Sequence, residues 1–157
     1  MRIGYGYDSH RFGEGRRLVL GGVGFPGETG LVGHSDADVV IHAIIDALLG
    51  AAALGDIGSH FPDTDPAWAG ADSAKLLAAV AEEIAGAGYR VGNVDVTVVC
   101  ERPKLRPKVG EMRARLAQVL SLAVSRISIK GKTNEKMDDI GAGLGIEAHA
   151  VVLLEEK

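Results

Sequence analysis

The stretch HSDADVVIHAIIDALLG, residues 34–50, predicts a buried helix that carries one narrow polar stripe. At 100° per residue, Asp38, His42 and Asp46 fall within a band about 80° wide, and apolar side chains fill nearly all of the remaining circumference. A helix this apolar is buried on most of its faces, so we expect the polar stripe to face a cleft. Ser35 or Asp36 is the expected N-terminal cap of this helix.

The polar residues around this helix are unusual in type. From Val32 to Ala74 there is no Lys, Arg or Glu, but there are seven Asp and three of the five His in the chain. Solvated surfaces usually carry Lys and Glu, whereas carboxylates and imidazoles are typical ligands of metals. Residues 100–136 have the opposite balance, with ten Lys and Arg against three Glu. An acidic and a basic region of this kind can complement each other within one protomer or between protomers.

The overall composition excludes several classes of protein. The 157 residues, with a net charge of −4, predict a single domain spanning residues 1–157. The lone Cys100 excludes an internal disulfide framework, fits a reducing compartment and is expected to be a buried, inert thiol. No signal-peptide pattern and no membrane-length apolar run is present, so we expect a cytoplasmic protein that does not bind membranes. The basic region lacks interleaved aromatic residues, which argues against nucleic-acid binding.

Strands alternate with helices along the chain, which predicts an α/β domain. Besides the polar-striped helix, the pattern predicts helices at 72–88 and 108–122, strands at 2–10, 94–100, 126–132 and 146–156, and a short strand or hairpin arm at 17–25. Residues 55–70 are expected to form a loop, because prolines and glycines interrupt them.

A candidate metal site combines the first strand with the helix. Asp8 and His10 are two residues apart, so they point to the same side of an extended segment. With His42 they form a set of two imidazoles and one carboxylate, which suits Zn²⁺ with a fourth position left open for catalysis. Asp8 could instead cap a turn, and His10 could lie on the surface. Asp46, one turn beyond His42, either orients its ring or is a partly exposed acid at the helix end.

Both the acidic and the basic region contain residues that can contact a phosphate group or its counter-ion. His34 and Ser35 stand at the expected start of the helix, where free backbone N–H groups attract anions. In the basic region, Thr133 can donate to a phosphate oxygen and Glu135 can bind a hard cation such as Mg²⁺. The segment GAGLG, residues 141–145, precedes a strand instead of opening a helix, which excludes a dinucleotide-binding loop.

Several longer blocks resemble the 2-C-methyl-D-erythritol 2,4-cyclodiphosphate synthase family. The blocks are GYGYDSHRF, HSDADVVIHAIIDALLGAAALGDIGSHFPDTDP, GNVDVTVV, RPK and KTNEK, at the spacing found in the family. The resemblance covers almost the whole chain. It implies a mixed β-sheet packed against helices, in a homotrimer with an active site at each interface between neighbouring protomers.

The resemblance also implies a reaction and its metals. The substrate is a cytidine diphosphate derivative of methylerythritol 2-phosphate, and the reaction closes a cyclic diphosphate and releases CMP. Zn²⁺ would be held by Asp8, His10 and His42, and a second divalent cation, Mg²⁺ or Mn²⁺, by Glu135.

The family pattern assigns roles to further positions of this chain. His34 and Thr133 match the positions of transition-state stabilisation. The positions that match substrate-binding residues are Asp8, His10, His34, Ser35, Asp56, Ile57, Gly58, Phe61, Pro62, Asp63, Thr64, Asp65, Cys100, Pro103, Lys104, Leu105, Arg106, Lys132, Thr133, Asn134 and Glu135.

The chain departs from the common family pattern at two places. Ala142 replaces an Arg that can bind an isoprenoid diphosphate on the trimer axis, so the resemblance does not extend to that regulatory site. Arg106 stands in the cytidine loop where an apolar residue is frequent. Two other functions remain open at this stage: a zinc-dependent phosphohydrolase using the same ligands, and a trimeric module that binds cytidine nucleotides without turnover.

Overall fold

The computed structural model describes residues 1–157. In chain order the elements are β1 (Arg2–Arg11), β2 (Val19–Leu20), β3 (Val23–Gly24), α1 (Val39–Ala52), α2 (Ile57–His60), α3 (Ser73–Gly86), β4 (Tyr89–Val99), α4 (Val109–Leu120), β5 (Ile127–Lys132), α5 (Asp138–Gly141) and β6 (Gly145–Glu156). Three short 3₁₀ turns lie at Pro66–Trp68, Arg106–Lys108 and Val124–Arg126.

The main sheet has four strands in the order β1-β6-β4-β5. Strand β6 is antiparallel to both of its neighbours, whereas β5 runs parallel to β4. The parallel pair is joined through α4, since parallel strands need a crossover connection. The expected mixed sheet packed against helices is confirmed. Strands β2 and β3 form a separate antiparallel hairpin.

Helix α1 packs directly on β1, and two glycines allow the close approach. A Cβ atom on Gly4 would lie 1.8 Å from the carbonyl oxygen of Ala47, and one on Gly6 would lie 1.9 Å from that of Ala43. No side chain larger than hydrogen fits at either position. The apolar side chains of α1, α3, α4 and the inner sheet face form one buried cluster.

The opposite face of the sheet is open to solvent although it carries large apolar side chains. Ile3 is 73% exposed, Tyr5 is 59% exposed, and Tyr7 and Val151 are each 44% exposed. Polar contacts lie among them, including a 2.9 Å hydrogen bond between the Tyr5 hydroxyl and His149 Nδ1. A contiguous exposed apolar face of this kind is typical of an interaction surface.

The cap of α1 differs from the expectation, because the helix begins later than predicted. Asp38 is the N-cap, and its Oδ1 accepts from the backbone N–H of Ile41 at 3.1 Å. The same carboxylate accepts from Gly21 N at 2.9 Å and from Gly22 N at 2.7 Å, in the β2–β3 turn. Ser35 and Asp36 do not cap the helix. Burial raises the pKa of Asp38 to about 6, although these backbone hydrogen bonds oppose the rise.

Two short helices were not expected from the sequence. Residues 55–70 include α2, where Asp56 accepts from Ser59 N at 2.8 Å and the Ser59 hydroxyl contacts the Asp56 backbone in return. Helix α5 lies in the glycine-rich segment before β6. Both helices have four residues, too few to produce a periodic apolar pattern. No helix has the length and apolarity needed to span a membrane.

We predict that Asp38→Ala lowers the free energy of unfolding by about 3 kcal/mol, because it leaves three backbone N–H groups, two of them buried, without their acceptor. Chemical denaturation monitored by circular dichroism measures this loss. The control is Asp72→Ala, which removes a single capping hydrogen bond to Ala74 N at the start of α3 and should cost about 1 kcal/mol. Equal losses in the two variants would contradict the role of Asp38 in joining the hairpin to α1.

Candidate metal centre and substrate cavities

Three predicted ligands converge where β1 passes the first turn of α1. Asp8 Oδ2 lies 2.9 Å from His10 Nε2 and 3.0 Å from His42 Nδ1, and the two ring nitrogens are 3.3 Å apart. These are the only three residues whose ligand atoms cluster closely enough to hold a metal ion together. The expected same-side placement of Asp8 and His10 is confirmed, because both face α1.

The geometry of the three ligand atoms fits a tetrahedral metal. Donors placed 2.0–2.1 Å from a tetrahedral Zn²⁺ are about 3.3 Å from one another. The observed triangle has edges close to that length, with one carboxylate oxygen and two imidazole nitrogens at its corners. The donor set is also one that Zn²⁺ prefers. The residues present therefore fit a divalent metal centre.

The far side of each imidazole ring is also held. His10 Nδ1–H donates to the carbonyl of Val32 at 2.8 Å, which turns Nε2 towards Asp8. His42 Nε2 lies 2.9 Å from Ser73 Oγ and 3.1 Å from Ser35 Oγ, which turns Nδ1 towards Asp8. Metal-binding histidines commonly have such outer partners, because these fix the ring and its tautomer.

Charge and burial act together on the pKa values at this cluster. Burial raises the pKa of Asp8, but the hydrogen bonds from His10 and His42 outweigh it and lower the pKa to about 2. Burial lowers the pKa of His10, yet the carboxylate of Asp8 more than compensates and the net pKa is raised. In the absence of metal, the carboxylate therefore stays ionised at neutral pH and favours the charged form of His10.

The other two acids of the predicted helical stripe do not face the cluster. Asp38 caps α1, as described above. Asp46 accepts from the backbone N–H of Ile57 at 2.7 Å and so ties α1 to α2. It does not orient the ring of His42, and partial burial raises its pKa. His42 is therefore the only residue of the stripe that belongs to the cluster with Asp8 and His10.

The cluster opens into a cavity of about 410 Å³. The expected site residues that line it are Asp8, His10, His34, Ser35, His42, Ile57, Gly58, Phe61, Pro62 and Asp63. Gly33, Trp68 and Leu76 also line this cavity, and no motif in the sequence pointed to them. The ring of Trp68 packs edge-on against Phe61 at 5.0 Å, which closes one apolar wall. His34 and Ser35 precede the Asp38 cap, so they do not stand at the helix start as expected.

A second cavity, of about 1050 Å³, shares no lining residue with the first. The expected site residues that line it are Cys100, Pro103, Lys104, Leu105, Arg106, Lys132 and Thr133. Lys130 also lines it and forms a 2.7 Å ion pair with Asp95. The cavity is strongly basic, which suits phosphate groups, whereas the first cavity carries carboxylates and imidazoles.

The loop after β5 presents Thr133 and Glu135 beside the basic cavity. Glu135 and Lys136 have positive φ angles of 51° and 60°, an uncommon conformation for residues with side chains. Glu101 stabilises the turn, because its Oε1 accepts from Asn134 N and Lys136 N, each at 3.2 Å. Glu135 is exposed and does not join Asp8, His10 and His42 in their cluster.

Five of the expected residues line neither cavity: Asp56, Thr64, Asp65, Asn134 and Glu135. Asp65 still supports the first cavity, because its carbonyl accepts from His34 Nε2–H at 2.9 Å. Asp56 is the cap of α2. Cys100 is buried, as expected, and burial together with the Glu101 carboxylate raises its pKa to about 11.

The chain is similar over its length to one protein family. The model of the YgbB family matches residues 1–155. The chain is 58% identical over 157 residues to the 2-C-methyl-D-erythritol 2,4-cyclodiphosphate synthase of Geobacter metallireducens, and the match covers 100% of both chains. A solved 2C-methyl-D-erythritol-2,4-cyclodiphosphate synthase in its CDP-bound form has a TM-score of 0.90 at 41% identity, covering 98% of this chain and 100% of that one.

The same similarity extends to a longer protein. The chain is 59% identical over 154 residues to the bifunctional enzyme IspD/IspF of an Anaeromyxobacter species. That match covers 98% of this chain but 40% of the bifunctional enzyme. Both cavities and the Asp8, His10 and His42 cluster lie within the residues that the family model spans. The chain therefore belongs to the YgbB family, alongside the 2-C-methyl-D-erythritol 2,4-cyclodiphosphate synthases.

Proposed function

We propose that residues 1–157 form a single catalytic domain that converts 4-diphosphocytidyl-2-C-methyl-D-erythritol 2-phosphate to 2-C-methyl-D-erythritol 2,4-cyclodiphosphate. An oxygen of the 2-phosphate attacks the β-phosphorus, the bond from that phosphorus to the bridging oxygen breaks, and CMP leaves with the bridging oxygen. The enzyme is thus a cyclising phosphorus–oxygen lyase of the non-mevalonate isoprenoid pathway. The observation that carries the proposal is the Asp8, His10 and His42 cluster, in a chain that matches a synthase from end to end.

The nucleophile in this reaction needs little activation. A phosphate monoester has its second pKa near 6, so the 2-phosphate is largely dianionic at neutral pH. The main barrier is bringing two anionic phosphates together in line, which calls for positive charge and positioning. Asp8, His10 and His42 would hold Zn²⁺, whose charge, when bound, polarises a phosphoryl oxygen.

The two cavities suit the two ends of this substrate. The apolar wall of Phe61 and Trp68, with the polar groups of the α2 loop, fits the methylerythritol part. The basic cavity around Lys104 and Lys132 fits the cytidine diphosphate part, as the CDP-bound relative supports. His34 and Thr133 are proposed to donate to phosphoryl oxygens, and Glu135 to hold Mg²⁺ or Mn²⁺ through its carboxylate.

A homotrimer would unite the two cavities. The open sheet face around Ile3, Tyr5 and Val151 supports self-association, because apolar side chains exposed in one chain become buried between copies. The opposite charges of the two cavities favour an arrangement in which the acidic cavity of one protomer meets the basic cavity of its neighbour. We therefore propose that each active site is built from two protomers.

We predict that ³¹P NMR of the protein with substrate, Zn²⁺ and Mg²⁺ shows two coupled resonances of a cyclic diphosphate, with CMP released in equal amount. Sedimentation of the same sample should give three times the 16.4 kDa chain mass. Release of inorganic phosphate would instead identify a zinc-dependent phosphohydrolase. An unchanged substrate spectrum from a zinc-loaded trimer would identify a module that binds nucleotide without turnover.

We predict that His42→Ala folds and assembles but loses bound zinc, and that its turnover falls by about 10³-fold or more, because one of three metal ligands is gone. Metal content by mass spectrometry and CMP release measure the two effects. His60→Ala is the matched control, since His60 also contacts a carboxylate, Glu83 at 3.3 Å, away from the cluster. Zinc content equal to wild type in His42→Ala would refute the ligand role.

We predict that Glu135→Gln raises the Mg²⁺ concentration needed for half-maximal turnover by about tenfold, because a neutral amide binds hard cations more weakly than a carboxylate. Its zinc content should stay at the wild-type level, since Glu135 lies outside the zinc cluster. Glu111→Gln, on the exposed start of α4, serves as the charge-matched control. Parallel loss of zinc and of Mg²⁺ dependence would show that the two sites are not separate.

A further inference from the structure

The hydroxyl of Ser73 links His42 to a second carboxylate that lies behind the metal cluster. Ser73 is the first residue of α3 and is fully buried. Its Oγ lies 2.9 Å from His42 Nε2 and also donates a hydrogen bond to Asp36 Oδ1. A path of three side chains, buried at His42 and Ser73 and half-buried at Asp36, therefore runs from the ring to a second carboxylate.

The direction of the hydrogen bonds along this path is fixed at Asp36. An ionised carboxylate only accepts hydrogen bonds, and a serine hydroxyl has one proton to donate. Asp36 accepts from the Ser73 hydroxyl, from Ser73 N at 3.0 Å and from Asp38 N at 3.1 Å. Because the Ser73 proton points to Asp36, Ser73 Oγ can only accept from His42. His42 Nε2 must then carry a proton, and in the metal-bound site the lone pair of Nδ1 is left to face the metal in place of the hydrogen bond to Asp8.

The other partners of His42 do not impose this direction. Ser35 Oγ is 3.1 Å from His42 Nε2, and it accepts from Ala37 N at 3.3 Å. No carboxylate receives the Ser35 proton, so that hydroxyl can either donate to His42 or accept from it. Arg16 donates to the carbonyls of Gly33 and Ser35 and holds this segment in place without touching the ring.

We propose that Ser73 and Asp36 are positioning residues that select the Nε2–H tautomer of His42 and so present Nδ1 to the metal. The proposal rests on the assignment of Asp8, His10 and His42 as metal ligands under the proposed function. The corresponding task at His10 is performed by the Val32 carbonyl, a backbone group that only accepts. At His42 the tautomer is selected by the side chains of Ser73 and Asp36, so the selection can be changed by substitution.

The first test measures zinc affinity of the full-length protein by competition with a chromophoric chelator. Ser73→Ala is expected to bind zinc ten- to a hundredfold more weakly than wild type, the range typical for loss of an outer partner of a metal-binding histidine. The matched control is Asp72→Ala, which weakens the start of α3 but leaves the Ser73 contacts in place. Its zinc affinity should equal that of wild type.

A second variant reverses the direction of the path. In Asp36→Asn, the orientation in which the amide oxygen accepts from Ser73 N has the amide nitrogen donating to Ser73 Oγ, at the loss of the hydrogen bond from Asp38 N. The Ser73 proton must then point to His42 Nε2, which favours the tautomer with a proton on Nδ1. Asp36→Asn is therefore expected to weaken zinc binding at least as much as Ser73→Ala does.

The spectroscopic readout is the His42 ring proton in the zinc-loaded protein, observed by ¹⁵N-edited NMR. Wild type and Asp72→Ala should both show a protected Nε2–H resonance, and in Ser73→Ala its exchange with water should be at least tenfold faster. Wild-type zinc affinity in both Ser73→Ala and Asp36→Asn would overturn the proposal while leaving the metal site intact. Failure of the wild-type protein to bind zinc would overturn the metal assignment itself.

Discussion

The close packing of α1 on β1 is the constraint on which the rest of the site depends. Gly4 lies against the backbone of Ala47, and Gly6 lies against that of Ala43. With this contact fixed, the next residue on the same side of β1 is Asp8, and it meets His42 one residue before Ala43. A side chain at either glycine would push the helix away and open the 3.0 Å contact between Asp8 and His42. The cluster of Asp8, His10 and His42 is therefore a consequence of how closely a helix approaches a strand.

The aspartates on and around α1 serve two different purposes. Asp8 faces the metal position, whereas Asp36, Asp38 and Asp46 each accept hydrogen bonds from backbone N–H groups of other segments. Asp38 joins the β2–β3 hairpin to the start of α1, and Asp46 joins α2 to α1. Asp36 joins the start of α3 to the segment that precedes α1. Short acidic side chains suit this work, because they reach backbone donors without leaving a long flexible chain to be ordered. The many Asp residues of this part of the chain thus stabilise the fold as well as supply a candidate metal ligand.

The positions of the two cavities explain why acidic and basic residues are concentrated in different parts of the chain. The acidic region builds the cavity around the metal cluster, and the basic region builds the cavity around Lys104 and Lys132. Neither cavity alone presents both a metal cluster and a cationic surface for a diphosphate. The open apolar sheet face lies on the same molecule, and under the proposed function it would join the complementary cavities of neighbouring copies.

Local patterns in the sequence were enough to predict the main elements, the α/β character and the grouping of Asp8, His10 and His42. These depend on local periodicity and on side-chain direction, such as the two-residue spacing of Asp8 and His10 and the narrow polar stripe of α1 that includes His42. Long-range packing settles which of Ser35, Asp36 and Asp38 caps α1, since all three satisfy the local rule and the amides of Gly21 and Gly22 select Asp38. It likewise decided that Ser73, 31 residues beyond His42 in the chain, contacts its ring. Contacts between distant segments leave no periodic trace in the sequence, because packing alone brings their residues together.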